Sequence, residues 1–221
     1  MKKMLDPKSI AIIGASRKEQ SVGYSLINNL SDKKIFLVNP NADEILGYKT
    51  FPDVLSIKEK VDLGIIVVPA RFVLKVLEDC GKKRIKNVII ISSGFAEAGD
   101  TKLQDELLKV KNKYKMKILG PNCLGVVTPK MNASFAPSKC VDGNIAFVSQ
   151  SGALIDSVLD WSLKEKYGFS ALVSVGNAAD IGFSELLEYF DADPATKVIA
   201  LYMEGLKDGK RFMVYGLGFG V

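Results

Sequence analysis

The chain has 221 residues, 48% of them hydrophobic, and carries 30 basic against 25 acidic side chains for a net charge of +5. That is apolar material enough for one large or two small domains, and it excludes a low-complexity or disordered chain. Three cysteines (Cys80, Cys123, Cys140) without CxxC spacing, in a chain with no histidine, argue against both a disulfide scaffold and a zinc site.

The N-terminus runs straight into LDPKSIAIIGAS without a leader-like apolar region, and no apolar run approaches the ~20 residues that span a bilayer. A cytoplasmic chain without a membrane segment is expected. Strand-like and helix-like runs then alternate, which predicts βαβ units and a parallel sheet. SIAIIGAS (9–16) is the first strand, with Val22, Leu26, Ile27 and Leu30 on the helix behind it. KIFLVNP (34–40) and DLGIIVVP (62–69) follow, then a helix carrying Phe72, Val76, Leu77 and Cys80. NVIIISS (87–93) precedes a helix with Leu103, Leu107, Val110 and Tyr114 in register, and KILGPN (117–122) is the fifth strand. The lysines at 109, 111, 113, 115 and 117 lack interleaved aromatic residues beyond Tyr114, so a solvated helix face is expected there and no nucleic-acid partner.

After Val126 the periodicity lapses into VTPKMNASFAPSKCVDG, a predicted connector with little structure of its own. The fold class is therefore α/β. A Rossmann-like doubly wound parallel sheet over 1–128 precedes a connector at 129–142 and an incomplete flavodoxin-like α/β domain over 143–221. In that second domain NIAFVSQS (144–151) leads into a helix with Leu154, Val158 and Trp161 on one face. FSALVSVGN (169–177), a short helix around Leu186 and Leu187, and VIALYME (198–204) complete it. Three strands leave a sheet edge and apolar surface open, so self-association or proteolytic loss of residues past about 142 is expected. VYGLGFGV (214–221) shows neither helix nor strand pattern.

In open α/β sheets the ligand lies over the carboxyl ends of the strands. Those tips are GASRKEQSVG (14–23), NPN (39–41), VPAR (68–71), SSGFAEAG (92–99) and GPNCLG (120–125), which supply no acid–base pair and suit binding more than reaction. A dinucleotide fingerprint needs G-x-G-x-x-G and an acidic end to the second strand; Gly14-Ala15-Ser16 and Asn39-Pro40-Asn41 provide neither. No P-loop motif occurs either. Ser16 and the amides entering the next helix, with Arg17 and Lys18 nearby, still form an anion site. Glu97 is either a base or a solvated loop carboxylate, and Cys123, with no histidine to activate it, belongs to the packing. At Val148–Trp161 a strand breaks on Ser149, Gln150, Ser151 and Gly152 and turns at once into a helix, aiming amides and two hydroxyls at one spot, as a phosphate cradle does.

SIAIIGAS, VNPN, VVPA, SSGFAEAG, GPNCLGV, FAPS, GNIAFVSQSGAL, SVGNAADI and LYMEG together resemble the α subunit of ADP-forming acetate (acyl)-CoA ligases, relatives of the succinyl-CoA synthetase α chain, over about residues 5–213. The resemblance implies a CoA-binding domain followed by a flavodoxin-like ligase domain. It also implies the reaction acyl-CoA + ADP + phosphate to acid + CoA + ATP, through an acyl phosphate and a phosphohistidine. On the matching positions it places Gly14, Ser16, Arg17 and Gly23 at the CoA phosphates and Asn39, Pro40 and Asn41 at the nucleotide portion. Val68, Pro69 and Ala70 fall on the adenine side, and Ser92, Ser93, Gly94, Asn122 and Cys123 beside the pantetheine arm.

For the phosphoryl group the resemblance implies Ser149, Gln150, Ser151 and Gly152, and a phosphate-side loop with Gly176, Asn177 and Asp180, for which a plain turn is the alternative. Glu204 resembles the glutamate that contacts the catalytic histidine. That histidine has no counterpart here. The expected role is thus a CoA-binding α-type subunit or fragment that is not competent alone, truncated, frameshifted or completed by another polypeptide; a non-catalytic CoA sensor is the alternative. Expected partners are CoA and an ATP-grasp β subunit or domain on another chain, with homo-oligomerisation open; no metal is expected.

Overall fold

The computed structural model describes residues 1–206 and 208–216, and for 215 and 216 the backbone alone. The first sheet comprises β1 (Ile10–Ile13), β2 (Ile35–Val38), β3 (Glu44–Ile45), β4 (Tyr48–Phe51), β5 (Leu63–Ile66), β6 (Asn87–Ile90) and β7 (Lys117–Leu119), in the order β3-β4-β2-β1-β5-β6-β7. The second comprises β8 (Gly125–Thr128), β9 (Met131–Ser134), β10 (Asp142–Ser149), β11 (Phe169–Ser174) and β12 (Val198–Tyr202), in the order β12-β10-β11-β8-β9. The helices are α1 (Lys2–Leu5), α2 (Val22–Asn29), α3 (Ala70–Lys82), α4 (Thr101–Tyr114), α5 (Gly152–Glu165), α6 (Phe183–Asp191) and α7 (Gly209–Gly216).

All five strands expected in the first sheet form, and β2-β1-β5-β6-β7 pair in parallel throughout. They are near-continuous apolar runs because both faces are covered. Ile10 and Ile12 enter one core with Leu26 and Ile27, while Ala11 and Ile13 enter another with Val73, Leu77, Phe95 and Leu107. On that second face α3 and α4 approach closely at Gly81, where any Cβ would stand 2.3 Å from the Tyr114 ring.

Several expectations are corrected. The predicted connector contains β9, and β8 lies just ahead of it; the two form an antiparallel pair that joins β11, so the second sheet has five strands rather than three and is mixed rather than parallel. Its proline and small polar residues had masked a pairing that long-range contacts supply: Asn29 Nδ2 on α2 donates to the Ser134 and Ala136 carbonyls, both at 2.8 Å. The β3–β4 hairpin, between the second and third expected strands, went unpredicted. Helical spacing groups Phe72 and Trp161 with the apolar stripes of their helices, but they are 49% and 52% exposed; Val73, Leu77 and Cys80 line the inner face of α3, and Ile155, Leu159 and Ser162 that of α5. The tail expected to lack helical structure is helical as far as Gly216, and 217–221 lie outside the described residues.

The two halves share one core. Ile12, Ile89 and Leu119 from the first sheet pack in the same cluster as Ala146, Val148, Ala171 and Val173 from the second, together with Phe183, Leu186 and Phe190 of the α6 region. Cleavage that removes everything past 142 would strip one face of the first sheet, so the expected easy proteolytic loss does not fit this packing. The joint is also polar. Residues 177–181 run along β7 like a further strand: Asn177, Ala179 and Ile181 N–H donate to the carbonyls of Pro121, Gly120 and Ile118 at 3.0–3.1 Å. Ile118 N–H returns a bond to Asp180 Oδ2 at 2.8 Å, and Lys111 pairs with Asp180 Oδ1 at 2.7 Å.

Candidate functional site

The strand order reverses between β1 and β5, and the crevice outside their carboxyl ends is where an open α/β sheet holds its ligand. The crevice is built by close backbone approach. Gly14 has φ +101°, and a Cβ there would lie 3.0 Å from the Val67 side chain; a Cβ on Gly23 would lie 2.4 Å from the Gly14 carbonyl oxygen. No larger residue fits where the start of α2 crosses the β1 tip. Ser21 caps α2 by accepting from Tyr24 N–H at 3.2 Å, and Ser16 Oγ accepts from Lys18 N–H at 3.1 Å. Arg17 and Lys18 stand exposed at the rim.

Asn39 donates from Nδ2 to the Ala15 carbonyl and accepts Asn41 N–H at Oδ1, both at 2.8 Å, so it braces the first tip against the second. Pro40 and Asn41 remain exposed. Val68, Pro69 and Ala70 form the turn from β5 into α3, and Ser92 Oγ donates to the Val68 carbonyl. Gly94, at φ +102°, sits where a Cβ would touch Ala70 Cβ at 3.2 Å, so the loop after β6 folds against that turn. Gly14, Ser16, Arg17, Gly23, Asn39–Asn41, Val68–Ala70 and Ser92–Gly94 therefore line adjacent loops over one end of one sheet.

Cys123 departs from this pattern. Its thiol is buried, faces the Ile90 carbonyl at 3.3 Å, and burial pushes its pKa up to about 12. Its side chain is thus closed off from the crevice. Its neighbour Asn122 is exposed in a left-handed conformation, φ +58°, with Nδ2 donating to Asn177 Oδ1 at 3.3 Å.

The second constellation lies against the same tip. Gly152, the first residue of α5, would place a Cβ 3.2 Å from Leu124 Cβ. Ser149 Oγ accepts Ser151 N–H at 3.0 Å, and Ser151 Oγ caps α5 by accepting Leu154 N–H at 3.2 Å. Both hydroxyls thus brace the turn. Gln150 Oε1 accepts the amides of Glu204 and Gly205 at 2.6 and 3.0 Å, which holds the end of β12 beside the turn while the Glu204 side chain stays exposed. A cavity of about 360 Å³ next to it is lined by Gln150, Asp180, Glu185 and Leu206. Gly176 is locked at φ +52°, where a Cβ would meet the Asn122 and Pro121 carbonyl oxygens at 2.3–2.4 Å.

Glu97 is an exposed loop carboxylate, as one of its two sequence readings has it, but it is also hydrogen-bonded through both oxygens. Oε1 accepts Gly94 N–H at 2.6 Å and Phe95 N–H at 3.2 Å, and Oε2 accepts Asn177 Nδ2 from the second half. Burial works to raise its pKa, but these hydrogen bonds outweigh it and hold the carboxyl below its ordinary range. The available signal was a glutamate three residues after a turn glycine, the spacing with which capping-box glutamates reach back to the backbone. Among the described residues no cluster of acidic or thiol side chains is arranged to hold a metal, and no helix is long and apolar enough to cross a membrane.

With this geometry in hand, comparison with known proteins gives a consistent result. Residues 8–129 match the family model for a CoA binding domain, and residues 142–215 match that for a succinyl-CoA ligase like flavodoxin domain. The chain is 48% identical to the ADP-forming acetate–CoA ligase I subunit alpha of Pyrococcus furiosus, over 95% of this chain and 48% of that one. It is 47% identical to the ADP-forming acetate–CoA ligase of Methanocaldococcus jannaschii, over 94% of this chain and 30% of that one. A solved structure of Ca. Korarchaeum cryptofilum dinucleotide forming acetyl-coenzyme A synthetase 1, in complex with phosphate and ADP, superposes with a TM-score of 0.93 at 39% identity, covering 97% of this chain and 48% of that one. The chain thus spans about half or less of the length of these relatives. The first of these models spans more than half of the chain, so the chain belongs to the CoA binding domain family, with a succinyl-CoA ligase like flavodoxin domain after it, and over nearly its whole length it is similar to ADP-forming acetate–CoA ligase α subunits.

Proposed function

We propose that the chain binds CoA across the β1–β5 crevice and a phosphoryl group at the Ser149–Gly152 turn, as the CoA-binding portion of an ADP-forming acid–CoA ligase. The observation that carries this reading is the glycine-tight crossing of Gly14 and Gly23 with Arg17 at its rim, within the segment that matches a CoA binding domain. It leaves backbone amides and one guanidinium open to a pyrophosphate, and Asn39, in place of an acidic residue, favours no ribose diol. Ser92–Gly94 and Asn122 lead from there toward the start of α5, so a long ligand laid across the tips ends beside the phosphoryl turn.

In this reading the overall reaction is acyl-CoA + ADP + phosphate to acid + CoA + ATP. The described site binds and orients; it offers no group to carry a phosphoryl, since the sequence contains no histidine. That carrier, and the nucleotide site, belong to another segment or to an ATP-grasp partner chain, and Glu204 is the residue of this chain that would face the carrier. Calorimetric titration with CoA, with NAD as the comparison ligand, tests the reading. Saturable CoA binding with no NAD response supports it; silence toward CoA overturns it.

A further inference from the structure

Three loops that the proposed function assigns to two different ligands are joined by one set of side chains. Glu97 holds the amides of Gly94 and Phe95 with one carboxylate oxygen and Asn177 with the other. Asn177 Nδ2 also reaches Gln104 Oε1 on α4 at 3.0 Å, and its Oδ1 accepts Asn122 Nδ2 at 3.3 Å. The bridge is tightly seated. Gly94 cannot grow toward Ala70, Gly176 cannot grow toward the Asn122 and Pro121 carbonyls, and 177–181 is hydrogen-bonded along β7. The loop at the expected thiol end of CoA and the loop on the expected phosphate side therefore have little freedom to move separately.

We propose that Glu97 is a positioning residue that couples the two binding events: ordering the 92–95 loop around CoA pre-orders the 175–180 loop for phosphate, and the reverse. The proposal rests on the CoA and phosphate reading above. A coupling of this kind is reciprocal, so each ligand must tighten the other by one and the same factor, on the order of fivefold or more. Glu97 suits the task because it spans both loops with one rigid carboxylate, and its hydrogen bonds keep it ionised. A glutamine in its place can rebuild the same bonds if the Asn177, Gln104 and Asn122 amides turn over, whereas alanine removes the bridge.

The test is calorimetric titration of the whole chain with CoA, with and without inorganic phosphate at matched ionic strength, and the converse titration of phosphate with and without CoA. In the wild type both ratios are expected to agree at about fivefold or more. Glu97→Ala should bring the ratio to about one, and Glu97→Gln should restore most of it, which a merely structural contribution to loop stability would not predict. Asn177→Ala, which cuts the bridge from the other side, should abolish the ratio as well. A wild-type ratio of one, or a Glu97→Ala ratio equal to the wild type's, overturns the coupling while leaving CoA binding intact. Failure to bind CoA at all removes both this inference and the reading beneath it.

Discussion

The two sheets treat their last strands differently. β7 ends the first sheet with its outer edge hydrogen-bonded to residues 177–181, whereas β12 ends the second with Val198 at 54% and Tyr202 at 42% exposure. Beside β12 runs a groove of about 620 Å³ lined by Leu187, Phe190, Ile199, Leu201, Phe212 and Met213. β1, β5 and β6 of the first sheet are buried along their whole length, whereas no residue of β12 is fully buried. What this teaches is where rigidity resides: the crevice of the first sheet and the joint to the second are over-determined by packing, and the far edge is not.

That contrast can be attacked from its strongest side first. Phe190 is 2% exposed in the core common to both sheets, so Phe190→Ala should destabilise the chain by about 3–5 kcal/mol. Calorimetric unfolding should remain one transition; two resolved transitions would mean that the halves do not share a core. Next, Arg17→Ala removes an exposed guanidinium from the crevice rim and should weaken CoA binding about tenfold or more while leaving the melting temperature unchanged. A drop in melting temperature with unchanged affinity would move Arg17 from the site to the scaffold.

Gly176→Ala forces a Cβ into two carbonyl oxygens at a positive φ and should cost about 1–3 kcal/mol, readable by denaturant unfolding. Hydrogen exchange should then rise at the joint along β7 and not at β12. Acid acts more gently. Glu97 and Asp62 both have lowered pKa values, Glu97 because its hydrogen bonds outweigh the opposing effect of burial, Asp62 chiefly through its hydrogen bond from Lys3. Each contributes stability that is present above the carboxyl's unfolded pKa and is lost as pH falls through the lower folded value. Melting temperature should therefore fall as pH drops below about 4, with Glu97→Gln showing a shallower fall. The smallest effect belongs to the open edge, where Val198→Ala should stay within about 0.5 kcal/mol.

Much of this was legible in the sequence where local pattern and burial agree. Ile10–Ile13, Leu63–Ile66 and Asn87–Ile90 announce buried parallel strands because nothing polar interrupts them. The tips were legible because glycine and small polar residues can serve few other purposes there. The stretch from β8 to residue 142 misled because its strand character comes from partners far along the chain: Val126 and Val127 pair with Val173 and Leu172, and Ser134 is held by Asn29. Phe72 and Trp161 misled for another reason, since helical spacing defines a stripe but not its width. Glu97 and Asn177 were each visible, but nothing local said that residues 80 apart would meet.

The strand-like passage of 177–181 along β7 also has a consequence in time. Ile118 and Asp180 are 62 residues apart, so at a synthesis rate of about 5–20 residues per second the ribosome needs roughly 3–12 s after making β7 to deliver the segment that covers it. For that interval the first sheet emerges with an unsatisfied border, and the nascent chain offers a ready template for a neighbour on the same message. Crowded translation, rather than the finished molecule, is where this architecture is most exposed to misassembly.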